Sequence, residues 1–140
     1  REVHAGQLDV AADLRHPVEV MAPERDHLNT WLSRRMQHQI AAPDLTGAGY
    51  GLLGGRLLSE AGRPAALFMY ENSAGKRLTV VVAAQAQTIR NAPPNLLSRD
   101  NLGAISWAEG QLLIAVSGEL GSDRLRGVGE LVAMSLRNKS

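Results

Sequence analysis

The sequence predicts an α+β fold: a mainly antiparallel sheet of about five strands, with an N-terminal and a C-terminal helix packed on one face. Three observations predict it. Residues 23–38 and 122–138 carry apolar side chains at helical spacing. Five stretches between them are short, rich in β-forming residues and punctuated by turn residues. The links within successive strand pairs are too short for parallel crossovers, so the pairing is antiparallel. The apolar helix stripes must then bury against one face of the sheet, which makes a two-layer domain.

Residues 1–22 read as an extended segment. Within it His16-Pro17-Val18-Glu19-Val20 alternates like a short strand, and Pro17, lacking an N–H, places that strand at a sheet edge. Residues 23–140 read as one compact domain. Its first helix spans 23–38, with Pro23 at the first helical position and Glu24 and Asp26 in the first turn, where negative charge suits the dipole. Leu28, Trp31, Leu32 and Met36 form its apolar stripe. Arg34, Arg35 and His38 lie toward its C-terminal end.

Pro43, Asp44 and Thr46 mark a turn. Residues 49–59 read as a strand, in which Gly54-Gly55 signals a bulge or a close backbone approach. A second strand covers 64–71, a four-residue turn Asn72-Ser73-Ala74-Gly75 follows, and a third strand covers 76–84. Residues 85–101, with Pro93-Pro94 and several Asn, show little periodicity and read as a long loop. Strands over 102–108 and 111–118 flank a tight Glu109-Gly110 turn. Ser122 is the expected N-cap of the last helix, whose face is Leu125, Val128, Val132 and Leu136 and whose end falls near Asn138.

The chain of 140 residues suits one domain. A domain of that size buries roughly 68–70% of its unfolded surface, enough to fold without disulfides or metal. Fifteen basic against 14 acidic residues argue against a dedicated nucleic-acid binder. The absence of Cys excludes disulfides, thiol nucleophiles and Cys-based metal sites. No apolar run reaches the roughly 18 residues that span a bilayer, and no signal peptide is visible. The chain opens on Arg1 rather than Met. It is therefore expected to be a fragment whose upstream portion, with any membrane anchor, is missing.

Few motifs carry chemistry. Gly49-Tyr50-Gly51-Leu52-Leu53-Gly54 matches the G-x-G-x-x-G pattern, but a turn precedes it and a strand follows, so no helix N-terminus is there to hold a pyrophosphate. His4, His16, His27 and His38 show no metal-ligand spacing. No nucleophile elbow is present; Val116-Ser117-Gly118 lacks the leading glycine. No cofactor, metal or catalytic residue is expected. Arg34, Arg35 and His38 form a basic patch that suits the helix dipole and that an acidic partner or lipid head group would also fit. Trp31 and Trp107 are expected as core or subunit-interface anchors.

Several stretches resemble the region outside the membrane in proteobacterial membrane-anchored anti-sigma factors. They are residues 16–20 (HPVEV), 24–35, 43–58 (from Pro43-Asp44-Leu45 to Gly54-Gly55-Arg56-Leu57-Leu58), 64–71 (PAALFMYE) and 75–79 (GKRLT). The resemblance implies an external sensory domain in the periplasm, with residues 1–22 as a juxtamembrane-like segment. It implies an upstream transmembrane helix and a cytoplasmic domain, both absent here, the latter sequestering an extracytoplasmic-function sigma factor. A periplasmic protease or sensor protein is the implied external partner. The resemblance carries no catalytic residues.

The expected partner or signal surface comprises exposed groups around the 85–101 loop, including Pro93 and Pro94, with Gly54, Gly55 and Arg56 nearby and Arg34 and Arg35 on the first helix. Two other functions fit the same residues. One is a small-molecule or lipid-binding module in the cleft between sheet and helices. The other is a structural domain that forms homodimers through an exposed edge, the His16–Val20 strand.

Overall fold

The computed structural model describes residues 20–21, 24–60, 62–85 and 94–138. Their elements, in chain order, are β1 (Val20–Met21), α1 (Arg25–Met36), a 3-10 turn (Thr46–Ala48), β2 (Tyr50–Glu60), β3 (Arg63–Asn72), β4 (Arg77–Ala84), β5 (Asn95–Arg99), β6 (Leu102–Glu109), β7 (Leu112–Gly118) and α2 (Ser122–Asn138). The fold is α+β, with one antiparallel sheet in the order β1-β2-β3-β4-β7-β6-β5. Six strands have five residues or more, against the five expected, and β1 adds two residues at one edge.

The additional long strand is β5, which lies inside the 85–101 stretch read as a loop. Asp100-Asn101, with Asp100 at φ 57°, makes the two-residue connection that folds β5 onto β6. That geometry requires positive φ, which Asp and Asn tolerate. Pro17 and Pro23, as well as His16 through Glu19, lie outside the described residues.

Alternation along the strands sorts the side chains onto two faces. The first face carries Phe68, Tyr70, Leu78, Val80, Val82, Ile105, Ile114 and Val116, all 5% exposed or less. Both helices cover it. From α1 come Leu28, Leu32 and Met36, and from α2 come Leu125, Val128 and Val132. Trp31, Trp107 and Leu136 are half-buried against this core.

α1 seats on β2 because Gly55 has no side chain. A Cβ there would lie 2.9 Å from the Leu67 carbonyl oxygen and 3.1 Å from Leu28 Cδ1. The register of β2 against β3 also slips between Leu52 and Gly54, so the bulge and the close approach expected at Gly54-Gly55 both occur.

α1 ends earlier than the 23–38 span expected, because Gln37 turns left-handed at φ 58°. The returning chain is tied to α1 by side chains. Ser33 Oγ donates to Ile40 O at 2.8 Å and accepts from Ile40 N at 2.9 Å, and Asn29 Oδ1 accepts from Ala42 N at 2.9 Å. Asp44 Oδ1 then accepts from both Thr46 N and Thr46 Oγ1, opening the 3-10 turn. Tyr70 Oη donates to Pro43 O and pins that turn to the sheet.

Ser122, expected as the N-cap of α2, is its first helical residue. Gly121 takes the cap, and its carbonyl accepts from Leu125 N at 2.9 Å.

Candidate interaction surface

The second face of the sheet carries no helix among the described residues, and its two ends differ. Toward β2 and β3, Leu58, Ala65 and Leu67 are buried and form a small cluster with Met69, Val81 and Ala83. Arg56 lies on the same face, 6% exposed, the one buried charged side chain among the described residues. Toward β5, β6 and β7 the side chains shorten to Ala104, Ser106, Ala115 and Ser117, while Leu97 and Leu102 stand 60% exposed and Leu113 40%.

Short side chains between longer ones make a hollow. It measures about 810 Å³ and is floored by Thr79, Ala104 and Ser117, with Leu97, Leu102, Arg77 and Arg99 around it. Lys76 Nζ and Glu119 Oε1 close one rim at 2.9 Å. That bond to Glu119 holds the Lys76 ammonium pKa above its ordinary value. Arg77 leans toward Glu71, 3.5 Å away, and its Nη1 reaches Met69 Sδ at 3.5 Å. Such a surface offers apolar contact edged by guanidinium groups.

A narrower groove of about 510 Å³ runs between α2 and β6. Ile105 and Trp107 line its sheet side, Gly129, Ala133 and Met134 its helix side, and Pro94 its mouth. Glu109 closes one end: it accepts from Trp107 Nε1 at 3.1 Å and from Arg137 Nε at 3.0 Å.

The residues expected to share one surface are dispersed. Gly54, Gly55 and Arg56 are buried within β2, whereas β5, the ordered part of the 85–101 stretch, is at the other side of the sheet. Five strand steps of about 4.8 Å separate them, roughly 24 Å, so they are not neighbours. Arg34 and Arg35 are exposed in the last turn of α1. Arg35 joins His38 and Arg63 around a polar hollow of about 410 Å³, a grouping that the sequence spacing of Arg63 does not announce. Pro94 is exposed beside the α2 groove, and Pro93 lies outside the described residues.

Gly49 caps the 3-10 turn in a left-handed conformation at φ 88° just before β2, and the rest of the G-x-G-x-x-G pattern runs along that strand, which β3 and not a helix follows. Among the described residues no group of three or more His, Cys, Asp or Glu side chains is placed to hold a metal. No helix of the described residues is long and apolar enough to cross a membrane. Compared with known proteins, the chain matches no family model and no curated protein.

Proposed function

We propose that the chain is the periplasmic regulatory domain of a transmembrane anti-sigma factor, controlling release of an extracytoplasmic-function sigma factor and hence transcription. One observation carries this reading. The segments that resemble that family, 24–35, 43–58, 64–71 and 75–79, build a single interlocked unit. α1 seats on Gly55 of β2, the turn at Pro43 is pinned by Tyr70 of β3, and β4 completes the sheet beneath. The residues that carry the resemblance thus share one packing arrangement in this chain, and that supports the reading. On this reading the second face of the sheet, with its hollow of about 810 Å³, meets the external signal or partner.

The test is sigma-dependent transcription in cells carrying the full-length protein or a version lacking this domain. Loss of the domain should switch the regulon on or make it blind to stress. Unchanged repression and induction would remove the reading.

A second function, binding of a small apolar molecule or lipid, is favoured by the α2 groove, where Trp107, Ile105 and Met134 surround about 510 Å³. Mass spectrometry of an organic extract of the purified protein decides it. A recurring small molecule supports this function, and an empty extract together with no quenching of Trp107 by added fatty acids excludes it.

A further inference from the structure

We propose that β5 is a self-pairing edge, through which two copies of this chain join their sheets antiparallel about a two-fold axis at Leu97. Among the described residues β5 pairs with β6 alone, so no described strand meets the backbone N–H and C=O groups on its other side. Such an edge is a template for another strand. Asn95, Leu97, Ser98 and Arg99 are exposed and only Leu96 is partly covered.

The sequence of the edge selects a second copy as the occupant. With the axis at Leu97, an antiparallel pair sets Leu97 opposite the other copy's Leu97, Asn95 opposite Arg99, and Leu96 opposite Ser98. No like charges face each other. The Asn95 amide oxygen is an acceptor for the guanidinium across from it. Arg99 makes no ion pair with a described residue of its own chain, which leaves it available for that contact. A parallel pair in the matching register would instead set Arg99 against Arg99, an unfavourable opposition.

The apolar residues extend the match. Leu102 pairs with Arg99, so it lies diagonal to Leu97 on the same face, and both are 60% exposed. Diagonal neighbours of this kind are within reach of long side chains. Pairing about Leu97 therefore lines up Leu102, Leu97 and their two symmetry mates in one strip, covering large apolar side chains that the monomer leaves to water. The same residue on both copies contacts itself, as an isologous interface requires.

Pro94 and the Asp100-Asn101 turn limit the pairing to five residues. An interface this short falls below the size of stable dimers and belongs with transient ones. The opposite edge is less suited among the described residues, since β1 has only two residues there. This proposal does not depend on the regulatory reading above.

The test uses the absence of native cysteine. Leu97→Cys should form a disulfide-linked dimer on mild oxidation, because directly opposed Cβ atoms lie about 4.5–5.5 Å apart. Asn95→Cys should not cross-link to itself, since the two copies of that position lie about 13 Å apart along the pair. It should cross-link to Arg99→Cys when the two variants are mixed. Leu113→Cys, exposed on the same face but away from the edge, is the background control. Sedimentation velocity on the native chain from about 10 μM to about 1 mM should show concentration-dependent dimer, as expected of a small transient interface. Leu97→Lys should abolish the dimer with an unchanged melting profile. A chain monomeric over that range, or a dimer in which Leu97→Cys cross-links no faster than Leu113→Cys, overturns the proposal.

Discussion

Tyr70 on β3 donates its hydroxyl hydrogen to the carbonyl oxygen of Pro43 at 2.7 Å, with both residues buried. The bond joins the sheet to the segment returning from α1, 27 residues earlier in the chain. Tyr70→Phe keeps the ring and strands the carbonyl, a change that typically costs about 1–3 kcal/mol. Urea denaturation should show that loss, and an unchanged midpoint would mean that the carbonyl finds another donor. Burial also raises the Tyr70 phenol pKa above its ordinary value. The neutral phenol is therefore favoured in the folded state. Its contribution is complete below the unfolded value near 10 and is lost as pH rises from there toward the raised folded value. Stability measured across that alkaline range should fall less steeply in Tyr70→Phe than in the native chain.

Gly55 is the contact point of helix and sheet. In Gly55→Ala the new methyl would meet a backbone carbonyl oxygen at 2.9 Å as well as the Leu28 methyls. Leu28 can turn aside, but the carbonyl belongs to β3 and cannot. The expected cost is about 1–3 kcal/mol, the range for overpacked interiors. Gly51→Ala on the same strand meets nothing within 4 Å and should stay within about 0.5 kcal/mol of the native chain. Equal midpoints for the two variants in chemical denaturation would show that the Leu67 carbonyl yields to the added methyl.

The Asp44 carboxyl is held below its ordinary pKa, chiefly by the hydrogen bond from the Thr46 hydroxyl and next by the Thr46 backbone N–H. A depressed folded value means that the carboxylate contributes stability above about 3.9, the unfolded value. That contribution is lost as pH falls through the lower folded value. An NMR titration of the Asp44 carboxyl carbon should show the lowered midpoint, and Thr46→Ala should raise it. A midpoint unmoved by Thr46→Ala would break the assignment of cause.

Glu109 bridges Trp107 on its own strand and Arg137 on α2. The ion pair is solvent-accessible, with the Arg137 side chain 63% exposed, so Glu109→Ala should change stability by less than about 1 kcal/mol. The indole N–H loses its acceptor, however, and the emission of Trp107 should shift to a degree that Trp31, remote on α1, does not. A single-tryptophan background with Trp31→Phe reads this directly. An emission spectrum indifferent to Glu109 would mean that water already serves the indole.

Much of this architecture is legible in the residues themselves. The stripes Leu28, Leu32, Met36 and Leu125, Val128, Val132 face the core as their spacing predicts. Gly54-Gly55 marks both a bulge and a close approach because only glycine answers both needs. β5 escapes such reading because five residues are too few to show a period, and Leu96 and Leu97 place one apolar side chain on each face. Its one local signal is the Asp100-Asn101 pair, which suits a two-residue hairpin turn. The spacing of Gly54, Gly55 and Arg56 cannot reveal that β5 lies across the sheet from them. That separation follows from β4 pairing with β7 rather than with the next strand in the chain, a choice made by long-range packing.

The β4–β7 junction has a consequence for how the chain assembles. On one side of it stand β2, β3 and β4 with α1; on the other stand β7, β6 and β5 with α2. Each group is a contiguous piece of polypeptide with its own helix, and the sheet joins them through the seven residue pairs from Leu78↔Gly118 to Ala84↔Leu112. On a ribosome the leading half is complete before its counterpart has been translated, and it must wait with the edge of β4 bare. Two separately expressed halves, divided between Gln85 and Pro94, should therefore recognise one another and restore the whole, with β4 and β7 as the zip.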